Sequence, residues 1–139
     1  MPNGHVALAD AVRPGGRVWS AAALILAVLV GFVSLLPPRG TPGGDIADLG
    51  EVMATLGHVL AYAVLGFAFV MSVRVPRGES VSPRTLVAVV VILTGYGALL
   101  EVLQDVVSAR SFQIGDVLAN ALGTLIGAAI AAVARRSRR

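Results

Sequence analysis

Four long apolar stretches occupy most of this chain of 139 residues and constrain its fold more than any other feature. A helix needs about 20 mostly apolar residues to cross the hydrocarbon core of a bilayer. Within lipid, the backbone N–H and C=O groups must be paired inside the segment, which an α-helix achieves. The chain is therefore predicted to be an all-α integral membrane bundle of four transmembrane helices, at residues 19–36, 52–73, 85–107 and 114–133.

The composition excludes several classes of soluble protein. Apolar residues make up 56% of the chain and the mean hydropathy is +0.83, which is too apolar for a surface in water. The absence of cysteine excludes disulfides, thiol catalysis and cysteine-ligated metals. The high pI would suggest nucleic-acid binding in a soluble protein, but here the arginines flank the apolar stretches, where topology and anionic lipids account for them. We expect membrane lipids as partners and no nucleic acid.

The arginines also predict the orientation of the four helices. Short cytoplasmic loops of membrane proteins are enriched in positive charge. Nine arginines adjoin one face of the predicted bundle, whereas only Arg39 and Arg110 adjoin the other. This asymmetry predicts a multi-pass protein of the bacterial cytoplasmic membrane with both termini in the cytoplasm. The nine are Arg13, Arg17, Arg74, Arg77, Arg84, Arg135, Arg136, Arg138 and Arg139.

The chain divides into three parts. Residues 1–17 are too few and too polar to fold alone, and they are expected to be a disordered cytoplasmic N-terminus. Residues 18–134 form the transmembrane domain, and residues 135–139 form a basic cytoplasmic tail. A cleaved signal peptide is the competing interpretation of the first apolar stretch, but that stretch is long for one and no clear cleavage site precedes Pro37.

Polar residues within the predicted helices concentrate near the outer ends of the second, third and fourth. Such groups are costly in a membrane and persist mainly where they pair, meet water or do chemistry. Three pairs occur at a spacing of three or four residues, so the members of each pair share a helix face. Glu101 lies on the order of 9 Å below the end of its helix, too deep for a freely solvated carboxylate, and we expect Arg110 in the following turn to be its ion partner. The pairs are His58 and Tyr62, Glu101 and Gln104, and Asp116 and Asn120.

At these residues the chain resembles the VanZ-like family, named for a protein associated with resistance to the glycopeptide antibiotic teicoplanin. The resemblance covers residues 49–132 and implies a setting in the cell envelope and a candidate site rather than a reaction. Many members have Asp-Lys just before the His, where this chain has Ala54 and Thr55, so a role of that pair does not carry over. The matching residues are His58, Tyr62, Gly97, Glu101, Gln104, Arg110, Asp116, Asn120, Gly123 and Gly127.

The candidate ligand-binding residues also have structural explanations. His58 beside Glu101 and Asp116 would suit a divalent cation, but no two ligands occur at a local metal-binding spacing, so no metal and no cofactor are predicted. Asp116 falls in the first turn of its helix, where the helix dipole favours an anion and Ser111 or Gln113 could cap the same turn. These explanations account for much of the turn without any ligand.

The remaining candidates concern helix packing. Gly123 and Gly127 form a Gly-x-x-x-Gly pattern, which lets helix backbones approach closely, and Gly97 has the same role. The pattern is compatible with an oligomer, but packing within the chain is favoured because neighbouring helices are available. Asn120 lies deep enough for an unsatisfied amide to be costly, and we expect it to bridge to Glu101 or Gln104.

Three functions remain open from the sequence. The favoured one is a protein that binds a lipid headgroup or a lipid-linked cell-wall precursor at the outer face of the envelope and lowers susceptibility to teicoplanin. The second is a membrane enzyme in which Glu101, His58 and Asp116 act on an envelope lipid, although no hydrolase, P-loop or zincin motif is present. The third is a small lipid transporter, which would place its polar groups nearer the bilayer midplane.

Overall fold

Four helices make up the regular structure of the computed structural model. The model describes residues 14–36, 45–73, 80–107 and 111–137, with side chains from residue 16 in the first range and residue 50 in the second. No strand occurs within these ranges, so the all-α prediction is confirmed for them. The helices are α1 (Pro14–Ser34), α2 (Asp45–Ser72), α3 (Pro83–Val107) and α4 (Ile114–Arg136).

All four helices are long and apolar enough to cross a membrane, as the sequence predicts. Large apolar side chains on each of them are more than half exposed, for example Val28, Leu60, Val91 and Ile130. Soluble monomers rarely expose so continuous an apolar surface. The outside of this bundle is therefore suited to lipid, and its polar groups have to be sought inside.

Two helices begin earlier than the hydropathy of the sequence indicates. The first begins at Pro14 rather than residue 19, and proline suits a first helical turn because its N–H would be unpaired there in any case. The second begins at Asp45 rather than residue 52, although its apolar part runs only over Gly50–Ser72. Hydropathy detects the part of a helix that suits hydrocarbon and misses polar turns that continue beyond it.

The most extensive helix contact joins α2 and α4, and glycines make it possible. At Gly123 a Cβ atom would overlap the backbone carbonyl of Val59, and at Gly127 it would overlap that of Ala63. Since backbone atoms of a helix cannot move aside, only glycine fits at these two positions. Both glycines of the Gly-x-x-x-Gly pattern thus face a helix of the same chain, and α4 presses its backbone onto that of α2.

The contacts between α2 and α4 occur in the same order along the two helices, so α2 and α4 run in the same direction. The Arg135 guanidinium near the end of α4 donates to the backbone carbonyls of Met71 at 2.6 Å and Val73 at 2.8 Å, where α2 ends. The first helix packs mainly on α2, and the Tyr96 hydroxyl of α3 donates to the carbonyl of Ala27 in α1 at 2.7 Å. The four helices therefore form one bundle, with α2 and α4 as its closest pair.

Candidate functional site

Several polar side chains are buried between α2, α3 and α4, near the start of α4. Glu101 and Gln104 of α3 are each 1% exposed, as is Asn120 of α4, and Asp116 of α4 is 3% exposed. His58 of α2 is partly buried beside them. The sequence predicts that these residues share helix faces, and the structure brings the three faces together.

His58 links α2 to α4 through both of its ring nitrogens. Its Nδ1 lies 2.9 Å from the amide oxygen of Asn120, which is hydrogen-bonding distance. Its Nε2 lies 3.5 Å from Oδ2 of Asp116. Because Asp116 and Asn120 are one turn apart on α4, the imidazole spans that turn with one nitrogen facing each residue. The sequence predicts that Asn120 bridges to Glu101 or Gln104, and in the structure its amide oxygen faces His58.

Glu101 is the residue of α3 that belongs to this cluster. One carboxylate oxygen of Glu101, one of Asp116 and one ring nitrogen of His58 all lie within 4.8 Å of one another. Each of the three residues comes from a different helix, so spacing along the sequence could not reveal the group. Among the described residues, this is the one group of three such side chains close enough to hold a metal ion.

Two further buried residues, each one turn from a member of the cluster on the same helix, carry unused hydrogen-bonding groups. The hydroxyl of Tyr62 and both amide atoms of Gln104 make no hydrogen bond within the described parts of the chain. Tyr62 lies one turn beyond His58, and its hydroxyl and the amide of Asn120 both lie beside Gly97. At Gly97 a Cβ would lie 2.5 Å from Nδ2 of Asn120 and 2.9 Å from that hydroxyl, so glycine leaves room for both groups.

The start of α4 positions Asp116 without help from a capping side chain. Gln113 occupies the N-cap position, but its side chain makes no capping hydrogen bond. The backbone N–H of Asp116 donates to the carbonyl of Gln113 at 3.1 Å. The carboxylate therefore lies in the first turn, where the positive end of the helix dipole favours an anion, as the sequence predicts.

The structure describes all of the predicted ligand-binding residues except Arg110. The structure brings together His58, Glu101, Asp116 and Asn120. Tyr62 and Asn120 both lie beside Gly97, and Gln104 is buried one turn from Glu101 on α3. The expected pairing of Glu101 with Arg110 lies outside the described residues. Thr124 was not singled out from the sequence. It is fully buried one turn beyond Asn120, and its hydroxyl donates to the Asn120 carbonyl at 2.8 Å.

Comparison with known proteins agrees with the resemblance seen at these residues. The family model described as VanZ/LLP1 matches residues 16–135, which include all four spans and the whole polar cluster. No curated protein and no solved structure matches the chain. Since the family model spans most of the sequence, this multi-pass helical chain belongs to the VanZ/LLP1 family.

Proposed function

We propose that this protein binds the polar headgroup of an envelope lipid or of a lipid-linked cell-wall precursor at the outer face of the bacterial cytoplasmic membrane. Binding would lower the susceptibility of the cell to glycopeptides, above all to teicoplanin. The observation that carries the proposal is the buried cluster between α2, α3 and α4, together with Tyr62 and Gln104, which lie one turn from its members and have unused hydrogen-bonding groups within the described residues. Groups of this kind cost stability in a membrane unless something binds them.

The chemistry of the cluster suits a headgroup that carries both hydroxyl or ammonium groups and a phosphate. The carboxylates of Glu101 and Asp116 accept hydrogen bonds, while the amide of Gln104 both donates and accepts them. A phosphate would need a cationic partner, and Arg110, which precedes α4 in the sequence, is the candidate that the family resemblance supplies. The site would thus bind the polar end of a lipid whose acyl chains remain in the bilayer.

The arginine distribution supports the outward orientation that this function requires. Nine of the eleven basic residues adjoin the ends of the spans opposite the polar cluster. By the positive-inside rule those ends are cytoplasmic, and the start of α4 is then extracellular. Glycopeptides and cell-wall precursors meet at that face of the membrane.

Cysteine labelling tests this topology directly because the natural chain has no cysteine. Single cysteines introduced between residues 37 and 44 are expected to react with an impermeant thiol reagent in intact cells. Arg77→Cys is expected to react only after the cells are opened, since that arginine belongs to the cytoplasmic set. Strong labelling of Arg77→Cys in intact cells would reverse the topology and remove the outer-face function.

Drug susceptibility tests the function itself. Deleting the gene is expected to lower the inhibitory concentration of teicoplanin, with a smaller change for vancomycin, and the wild-type gene should restore it. Arg110→Ala and Glu101→Ala are expected to behave like the deletion, because they remove the proposed partners of the headgroup. An unchanged deletion strain would contradict the envelope role.

A matched variant separates loss of the site from loss of the protein. Asp105 follows Gln104 on α3 but is exposed, so Asp105→Asn removes a carboxylate from the same helix without touching the cluster. This variant should restore resistance fully. Membrane protein levels must be measured for every strain, because a variant that merely weakens packing loses activity in proportion to its abundance. Full restoration by Glu101→Ala at normal abundance would remove Glu101 from the site.

A membrane enzyme is the second candidate, and one observation favours it. His58 lies beside two carboxylates within a buried cluster, an arrangement that serves acid–base or metal-assisted chemistry in other proteins. Purified protein incubated with envelope phospholipids would then release a headgroup, and His58→Ala would abolish the release. Unchanged lipid after prolonged incubation would leave binding as the function.

A further inference from the structure

We propose that His58, Glu101 and Asp116 form a binding site for a divalent cation of the zinc type. The ligands would be Nε2 of His58 and one carboxylate oxygen from each acidic residue, so that the ion joins α2, α3 and α4. This proposal goes beyond headgroup binding and does not depend on it. It rests on four features of the cluster: the hydrogen bond to His58, the spacing of the candidate ligand atoms, the charge they carry and the polar groups beside them.

The hydrogen bond between His58 and Asn120 selects the nitrogen that faces the acidic residues. An amide oxygen only accepts, so Nδ1 of the imidazole carries the proton that is donated to Asn120. In the neutral ring, Nε2 then presents its lone pair toward Asp116. A histidine that ligates a metal is held in this way, with one ring nitrogen donating to an oxygen and the other bound to the ion.

The distances also suit ligands that share an ion. The 3.5 Å between Nε2 of His58 and Oδ2 of Asp116 is longer than a charge-assisted hydrogen bond. It is close to the separation of about 3.4 Å that two ligands have when each lies about 2.1 Å from a tetrahedral zinc ion. One carboxylate oxygen of Glu101 lies within 4.8 Å of a ring nitrogen of His58 and of a carboxylate oxygen of Asp116. The three residues thus offer one ligand atom each from three different helices.

The charges of the cluster favour a cation as well. Glu101 and Asp116 bring two carboxylates into a site that is almost closed to solvent, where like charges repel strongly. A doubly charged ion bound between the two carboxylates would offset this repulsion. One imidazole with two carboxylates and no thiolate is a nitrogen and oxygen donor set, which suits Zn²⁺ and related first-row ions rather than soft ions such as Cu(I).

The buried polar groups beside the cluster are an independent indication that a ligand binds there. Tyr62 is 1% exposed, and its hydroxyl, which makes no hydrogen bond within the described residues, lies with the amide of Asn120 beside Gly97. Gln104 lies one turn from Glu101 on the same face of α3. Three protein ligands leave a fourth position open, and water at that position would give these groups a partner.

Metal titration of the purified protein tests the proposal. The full chain is purified in detergent, its affinity tag is removed, and Co²⁺ is added as a spectroscopic substitute for Zn²⁺. One equivalent should give intense visible absorption bands of a tetrahedral site, and Zn²⁺ should displace the Co²⁺. Asn120→Ala should weaken Co²⁺ binding about 10- to 100-fold, because it removes the oxygen that orients His58. His58→Ala and Asp116→Asn should weaken it further.

Two matched variants serve as controls. His5→Ala removes the other histidine of the chain, and Asp105→Asn removes an exposed carboxylate of α3, so both should bind Co²⁺ like the wild type. Helical circular dichroism and the elution volume establish that each variant is folded. A wild-type protein without the tetrahedral bands would overturn the proposal whatever the variants do. Equal Co²⁺ affinity of wild type and folded His58→Ala would also overturn it.

Discussion

Replacing Gly127 by alanine is expected to lower the free energy of unfolding of this bundle by about 3 kcal/mol, the upper part of the range for overpacking. The added Cβ would overlap the carbonyl oxygen of Ala63 and lie 2.9 Å from the backbone nitrogen of Phe67. These atoms belong to the backbone of α2, which cannot rearrange as a side chain would. The helices must separate, which also loosens the contact at Gly123. Reversible unfolding in mixed detergent micelles measures the change.

Gly95 provides the matched control for this substitution. It lies within α3, and nothing is found within 4 Å of the position where its Cβ would be. Gly95→Ala should therefore keep or raise stability by up to about 1 kcal/mol, the difference in helix propensity between the two residues. Equal losses from the two substitutions would mean that the close contact of α2 and α4 does not limit stability.

The same contact sets the geometry of the polar cluster. Val59, whose carbonyl faces Gly123, directly follows His58, and Gly123 lies three residues after Asn120. The distance between His58 and Asn120 thus depends on how closely the two backbones approach within one turn of the site. Gly127→Ala should consequently weaken any ligand binding along with stability. The glycines therefore connect packing to the candidate site.

Sequence reasoning predicted the four spans because hydrocarbon imposes a length and an apolar composition that can be counted. It missed the early starts of α1 and α2, since the turns at Pro14 and Asp45 lie outside the apolar stretches. The Gly-x-x-x-Gly pattern predicted close packing but not its partner. Whether Gly123 meets α2, α3 or a second chain depends on the rotation of α4 in the bundle, which hydropathy alone does not determine.

The sequence predicted which residues belong to the candidate site but not which of them contact one another. Spacing of three or four residues put Glu101 with Gln104 on one helix face, and the family resemblance selected the same residues. The contact between His58 and Asn120 joins residues 62 positions apart, so it follows only from the packing of α2 against α4. The missing hydrogen bonds of the Gln104 amide likewise follow only from the assembled bundle, because in a less closely packed bundle the same amide could bond to water.

Replacing the amide of Gln104 tests whether this residue serves ligand binding or helix packing. Gln104→Met replaces it with an apolar side chain of similar shape and is expected to raise the free energy of unfolding by about 1–2 kcal/mol, because a buried amide without a hydrogen bond carries a desolvation cost. The same variant is expected to lose teicoplanin resistance, since the proposed headgroup would no longer find the amide. Detergent unfolding and drug susceptibility are measured on the same strains.

Thr94→Val completes the experiment, because the hydroxyl of Thr94 is also buried on α3 and makes no hydrogen bond within the described residues. Thr94 lies ten residues before Gln104, or about 15 Å along the helix, so its replacement should raise stability and leave resistance unchanged. Both residues cost stability, so a loss of resistance at Gln104 alone would identify Gln104 as the binding group. If Gln104→Met destabilises the protein, the amide has a partner that holds the bundle together. If it restores full resistance at normal abundance, the amide does not contact the ligand and the proposed site loses its central donor.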